Sequence, residues 1–135
     1  MKLLILIGLS GSGKTTYYNE YLKNEYKFYD DFISNIIDGE LINDLRKKEE
    51  NICIADPRLC NYQTFMRVMK IIDEIIDKKD IQLLLFENDK NKCLINASKR
   101  GKRNVNKSIE FNSMIYNLEN YFDYEIREIR EIMTT

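Results

Sequence analysis

One stretch, Gly8-Leu9-Ser10-Gly11-Ser12-Gly13-Lys14-Thr15, constrains this chain more than any other part of it. It follows the apolar run LLILI, and from Lys14 to about Lys23 the residues after it take on helical spacing. Glycines at positions 8, 11 and 13 let the backbone curl so that successive N–H groups point inward, as phosphate oxygens require. The sequence GxxxxGK followed by Ser or Thr, set between a strand and a helix, is a nucleoside triphosphate loop. It assigns Ser10, Gly11, Ser12, Gly13, Lys14, Thr15 and Thr16 to ATP or GTP. Lys14 is expected to reach the outer phosphates, and the Thr15 hydroxyl to ligate Mg²⁺.

The rest of the chain alternates short apolar runs with stretches of helical period. KLLILIG reads as a strand buried on both faces, as parallel strands are. Lys27 to Tyr29 is a short strand, and NICIA (51–55) and IQLLLFE (81–87) are two more buried ones. Between them, Ile33, Ile36, Ile37, Leu41 and Leu45 mark a helix from near Ile33 to Lys48. Phe65, Val68, Met69, Ile72, Ile75 and Ile76 mark a longer one. A polar, basic stretch follows from Asn88 to Lys107, and Phe111, Ile115, Leu118 and Phe122 predict a last helix. The segment YFDYEIREIREI reads two ways, as a helix carrying Ile126, Ile129 and Ile132 or as an edge strand from Tyr124. The 135 residues are expected to form a single domain, 1–135. The alternation predicts an α/β fold with a mostly parallel sheet. Ligands of such sheets gather beyond the carboxyl ends of the strands, where Gly8, Asp30, Asp56 and Glu87 fall.

Three further features bear on chemistry. Asp30-Asp31 follows the strand KFY, where a carboxylate could take the proton of an attacking hydroxyl. The competing reading is a helix N-cap for one of the pair. Asp56 ends NICIA in the Walker B arrangement, in which a carboxylate holds Mg²⁺ through its water shell; otherwise it is a turn aspartate before Pro57. Arg58 reads either as an acceptor contact or as a solvated side chain. Lys99, Arg100, Lys102, Arg103 and Lys107 crowd into NASKRGKRNVNK; arginines on a mobile lid there, about 88–107, would lie over the bound phosphates and neutralise charge building up in the transition state, the competing reading being a solvated basic loop.

Other classes are excluded or disfavoured. The chain has no histidine, which removes Ser-His and Cys-His nucleophile pairs and His-ligated zinc. Net charge is −1, so any nucleic-acid contact must come from a local basic patch. Cys53, Cys60 and Cys93 form no CxxC pair, and reduced thiols with no disulfide-linked partner are expected. The apolar start is too short to span a bilayer, so the expectation is a cytoplasmic protein without a membrane partner. FENDKNK lacks the residue order of a guanine-recognition motif.

GLSGSGKTTYY, FYDDF, ICIAD and NASKRGKRNV follow the order seen in small P-loop kinases. The chain most closely resembles the kinase domain of bacteriophage-type polynucleotide 5′-hydroxyl kinases, from Lys2 to about Phe122. The resemblance implies a three-layer P-loop fold of about five strands, with ATP and Mg²⁺ bound and the 5′ end of DNA or RNA as acceptor. It gives Lys14 and Thr15 the phosphate and Mg²⁺ roles, and Asp30 the role of general base, ahead of Asp31. Arg100 would reach the transferring phosphoryl group, and Asp56 would sit at the metal and acceptor end. One position departs: the family has an arginine three residues after the catalytic aspartate, and this chain has Ile33, or Ser34 counted from Asp31. Phosphorylation of a small molecule and nucleotide binding without transfer are the competing expectations.

Overall fold

The computed structural model describes residues 1–33 and 37–134, and of Arg103 the backbone only. Five parallel strands form one sheet in the order β2-β3-β1-β4-β5. They are β1 (Leu3–Ile7), β2 (Tyr26–Asp30), β3 (Asn51–Ala55), β4 (Ile81–Phe86) and β5 (Glu125–Arg130). β1 lies at the centre, paired with β3 and β4, and all five of its residues are buried. That position explains its unbroken apolar sequence, since a central parallel strand has no solvent face.

The helices are α1 (Lys14–Tyr17), α2 (Gly39–Lys47), α3 (Tyr62–Ile72), α4 (Lys90–Lys99) and α5 (Asn106–Ile115). They cover both faces of the sheet. Tyr18, in the π-helical continuation of α1, stacks on Phe28, and Tyr17 packs edge-on against Phe86. On the opposite face, Tyr29 donates its hydroxyl proton to Asp44 of α2. The chain leaves β1 toward β2 and leaves β3 toward β4, in opposite directions. Their carboxyl ends therefore frame a switch-point crevice, where such sheets take ligands.

Several sequence expectations shift. The helix expected from Ile33 begins at Gly39, capped by Asp38, whose side chain accepts from the Glu40 N–H at 2.7 Å. The cap is thus neither Asp30 nor Asp31, and Ile36 and Ser34 lie outside the described residues. Asp30 is the last residue of β2 rather than a position beyond it. The long helix stops at Ile72, with Ile76 buried after a turn. The basic stretch is not an open loop: α4 fills its first half.

The last helix departs furthest from the expected pattern. α5 ends at Ile115 and buries Ile109 and Asn112, while Phe111 is 59% exposed and Phe122 50%. Tyr116 and Tyr121 fill the core instead, because each can bury its ring and still satisfy its hydroxyl. The Tyr116 hydroxyl donates to the Phe86 carbonyl at 2.7 Å, and that of Tyr121 to the Leu59 carbonyl.

The final segment is an edge strand. Leu83 pairs with Ile126 and Leu84 with Glu128, leaving Arg127 as a bulge. The bulge puts Ile126 and Ile129 on the same face although they are three residues apart. That spacing is what imitated a helix.

Candidate functional site

The Gly8–Gly13 loop leaves the centre of the sheet and is shaped by close approach. Gly11 has φ +82°, and a Cβ there would lie 2.5 Å from the Cys93 carbonyl oxygen of α4. Gly13, at φ +102°, precedes α1, and the Ser12 N–H closes a turn onto the Leu9 carbonyl at 3.1 Å. Asn96 of α4 clamps the loop from above, donating to the Gly11 carbonyl at 2.9 Å and also to the Met133 carbonyl. The loop is therefore held between the sheet and α4.

Lys14 is almost fully buried and folds back onto its own loop. Its ammonium donates to the Gly8 carbonyl at 2.7 Å and the Leu9 carbonyl at 2.8 Å, and among the described residues it has no carboxylate partner. Burial pushes its pKa below the ordinary lysine value, while Cys60, Asp30, Cys93 and Asp56 act in the opposite sense. Both neighbouring thiols stay protonated at neutral pH, since burial raises Cys60 and Cys93 to about 12.

Across the crevice, Asp30 and Asp31 stand at the end of β2. Asp31 has φ +48°, and its N–H points at the Ala55 carbonyl (2.9 Å) and the Asp30 carboxylate (3.0 Å). Loss of solvation and then the Asp31 charge raise the Asp30 pKa above the usual carboxylate value, with Lys14 opposing. Asp30 remains open to solvent on its outer side.

Asp56 is fully buried, and both its oxygens are engaged. Arg58 grips it in bidentate fashion, Nε to Oδ1 at 2.9 Å and one terminal nitrogen to Oδ2 at 2.7 Å. The N–H groups of Arg58 and Ile33 add bonds of 2.9 and 3.2 Å. Ile33, standing where the resembling family has an arginine, packs its side chain into the core and gives Asp56 its backbone N–H. A guanidinium reaches that carboxylate from Arg58.

These groups converge. A cleft of about 160 Å³ is lined by Ser10, Gly11, Gly13, Lys14, Thr15, Asp30, Asp31, Pro57, Arg100 and Lys102, among others. Arg100 donates to the Thr16 hydroxyl at 3.4 Å, which ties the turn after α4 to α1. Ser12 and Thr16 line a second, larger cleft of about 470 Å³, which shares Gly13 and Arg100 with the first. Asp56 lies behind Pro57 and Arg58 rather than in either cleft, and the Arg103 side chain lies outside the described residues. Glu87 instead accepts from Lys92 and the Ile132 N–H, fastening the C-terminal segment.

The larger cleft contains residues that sequence reasoning missed. Tyr17, Tyr21 and Phe86 give it aromatic walls, and the Arg130 guanidinium lies 5.0 Å from the Tyr17 ring centre and 5.4 Å from that of Tyr21. The i, i+4 spacing of Tyr17 and Tyr21 after the loop was the available signal. Nothing local pointed to Arg130. Among the described residues no group of three or more acidic or cysteine side chains could hold a metal, and no helix is long and apolar enough to cross a membrane. All three cysteines are free and buried.

No family model matches the chain. It is 37% identical over 134 residues to an uncharacterized protein of Acanthamoeba polyphaga mimivirus, a match spanning 95% of this chain and 96% of the viral one. Identity of that extent along both chains places them together: this chain belongs to the same family as the mimivirus protein.

Proposed function

We propose that the chain is an ATP-dependent kinase on a three-layer P-loop fold, transferring the γ-phosphoryl group to the 5′-hydroxyl of a polynucleotide. The observation that carries this reading is the smaller cleft, where the loop, the Asp30-Asp31 pair and Arg100 face one space. In this reading the ammonium of Lys14 exchanges the Gly8 and Leu9 carbonyls for phosphate oxygens, which are stronger partners for a charge. Asp30 accepts the proton as the acceptor oxygen bonds to the γ-phosphorus and the bond to the departing ADP oxygen breaks. Its raised pKa makes it a better base than an ordinary aspartate. Arg100 and Lys102 offset the charge on the transferring group. The nucleoside occupies the larger cleft, against Tyr17, Tyr21 and Phe86.

Mg²⁺ fits this donor set. The ion keeps several waters and binds through one or two protein groups plus phosphates, so the exposed Thr15 hydroxyl serves without an acidic cage. When bound it would neutralise charge on the β- and γ-phosphate oxygens. The oxygens of Asp56 already accept four hydrogen bonds, which directs any metal role for it through water. Three buried free thiols suit a reducing, cytoplasmic setting. Phosphorylation of a small molecule is the second reading, favoured by Ile33 in place of an acceptor arginine.

The test is incubation with γ-labelled ATP, Mg²⁺, and 5′-hydroxyl oligonucleotides or free nucleosides. Label on oligonucleotides is the expected result. Label on nucleosides alone selects the second reading, and tight ATP binding with no label overturns both.

A further inference from the structure

α5 inverts the usual burial rule at one point: Asn112 is 7% exposed while its neighbour Phe111 is 59% exposed. Asn112 is held by a bond to the Ser108 hydroxyl at 3.2 Å. Phe111 turns outward into a cleft of about 240 Å³ whose other walls are Arg58, Asn61, Thr64, Ser108 and Asn112. This is below the roughly 300–1,000 Å³ of a pocket for a whole ligand, and suits one part of a larger one. Its chemistry is an aromatic face, a guanidinium, two amides and two hydroxyls, with no carboxylate. Such a set matches a planar heterocycle with polar edges. It does not match an amine-rich small molecule, whose positive charges would call for acidic walls.

The cleft is also placed to serve the phosphate site. Pro57 lines the 160 Å³ cleft and Arg58 lines this one; Val105 lines the former and Ser108, further along the same segment, lines the latter. The two spaces are thus lined by neighbouring residues of the same two segments, and Arg58, at the edge of this cleft, is paired with Asp56.

Resting on the kinase reading above, we propose that this cleft seats the nucleobase at the acceptor's 5′ end, with Phe111 as its stacking face. Arg58 then links base binding to the Asp56 carboxylate, for it both holds Asp56 and lines the base seat. An acceptor docked there presents its 5′-hydroxyl toward Asp30.

The experiment compares transfer to two single-stranded oligonucleotides, alike except that the 5′-terminal residue of one is abasic. Stacking of a base on an aromatic side chain gives the wild-type chain a preference of at least about fivefold in kcat/KM for the base-bearing acceptor. In Phe111→Ala that ratio falls toward one, and Phe111→Leu, which keeps apolar volume without a ring, recovers little of it. Circular dichroism melts confirm that both variants fold, as the exposure of Phe111 leads one to expect. If transfer occurs and Phe111→Ala keeps the full ratio, the base seat is wrong and the kinase reading stands. If neither oligonucleotides nor free nucleosides are labelled, the kinase reading fails and the base seat falls with it.

Discussion

On the loop side of the 160 Å³ cleft, Ser10, Gly11, Gly13, Lys14 and Thr15 all come from one short segment, and its shape is set by contact with α4 at Cys93 and Asn96. On the opposite side, Asp30, Asp31 and Pro57 arrive from the ends of two different strands, and what holds them is charge. Asp56 is buried only because Arg58 and two N–H groups compensate it, and at Asp30 desolvation and the Asp31 charge raise the pKa while Lys14 opposes them. The contrast teaches that the two halves should fail differently. Steric substitutions should break the loop side through stability, whereas isosteric charge changes should break the acid side through chemistry.

The largest effect expected is at Asp30. Asp30→Asn preserves the shape of the β2 end and removes the proposed base, so on the kinase reading the transfer rate should fall about 10²–10⁴-fold. ATP affinity, measured by calorimetry, should stay within about twofold, since phosphate contacts dominate it and come from the other side. Equal loss of affinity and rate would show that the two sides are not separable.

The loop side should respond to a single methyl group. Gly11→Ala drives a Cβ to within 2.5 Å of the Cys93 carbonyl in a left-handed conformation, and is expected to cost about 2–4 kcal/mol of stability. Gly101→Ala shares the positive φ, at +72°, but meets open space and should cost about 1 kcal/mol. Denaturant melts of the two variants separate close approach from backbone strain. Similar losses would mean that contact with α4 does not shape the loop.

The Arg58–Asp56 pair tests whether charge alone holds the acid side. Arg58→Ala leaves a fully buried carboxylate with two N–H partners and should destabilise by about 1–3 kcal/mol. This is below the loss for a fully buried pair because the guanidinium is half exposed. Adding Asp56→Asn should recover part of it. Strict additivity would deny the coupling.

The same contrast explains what could be read from the sequence. The turn from β1 into α1 was legible because its residues are contiguous and Gly11 and Gly13 adopt the positive φ that glycine permits. β1, β3 and β4 were legible because central parallel strands are apolar along most of their length. The carboxylate pair was legible at the end of the second strand, one residue further into it than its sequence suggested, but the true helix cap, Asp38, was hidden behind an apolar stripe that began too early. Arg58 could not be assigned because its partner is defined by burial, and sequence shows no burial. Arg130 reaches Tyr17 only through the last strand, whose bulge disguised it as a helix. In α5 the periodicity favoured Phe111 over the tyrosines that the core uses, since hydroxyl partners on distant carbonyls leave no trace in spacing.

The finest test lies within the carboxylate pair. Asp30 has a folded-state pKa raised by desolvation first and by Asp31 second. Between its unfolded and folded values the native chain holds a proton that the unfolded chain has released, so this group makes stability fall as pH rises through that window. If Asp30 must be ionised to accept the proton, the acid limb of the transfer rate lies above the ordinary aspartate range. Asp31→Asn removes one negative neighbour and leaves the desolvation in place. The limb should therefore move to lower pH without vanishing, and the melting temperature near neutral pH should not fall on account of Asp30. A pH–rate profile of Asp31→Asn beside the wild-type chain measures the shift. An unmoved limb would mean that Asp30 is not the group titrating in the reaction, and a limb displaced to higher pH would mean that Asp31 stabilises its neighbour's charge through the backbone N–H it orients rather than repelling it.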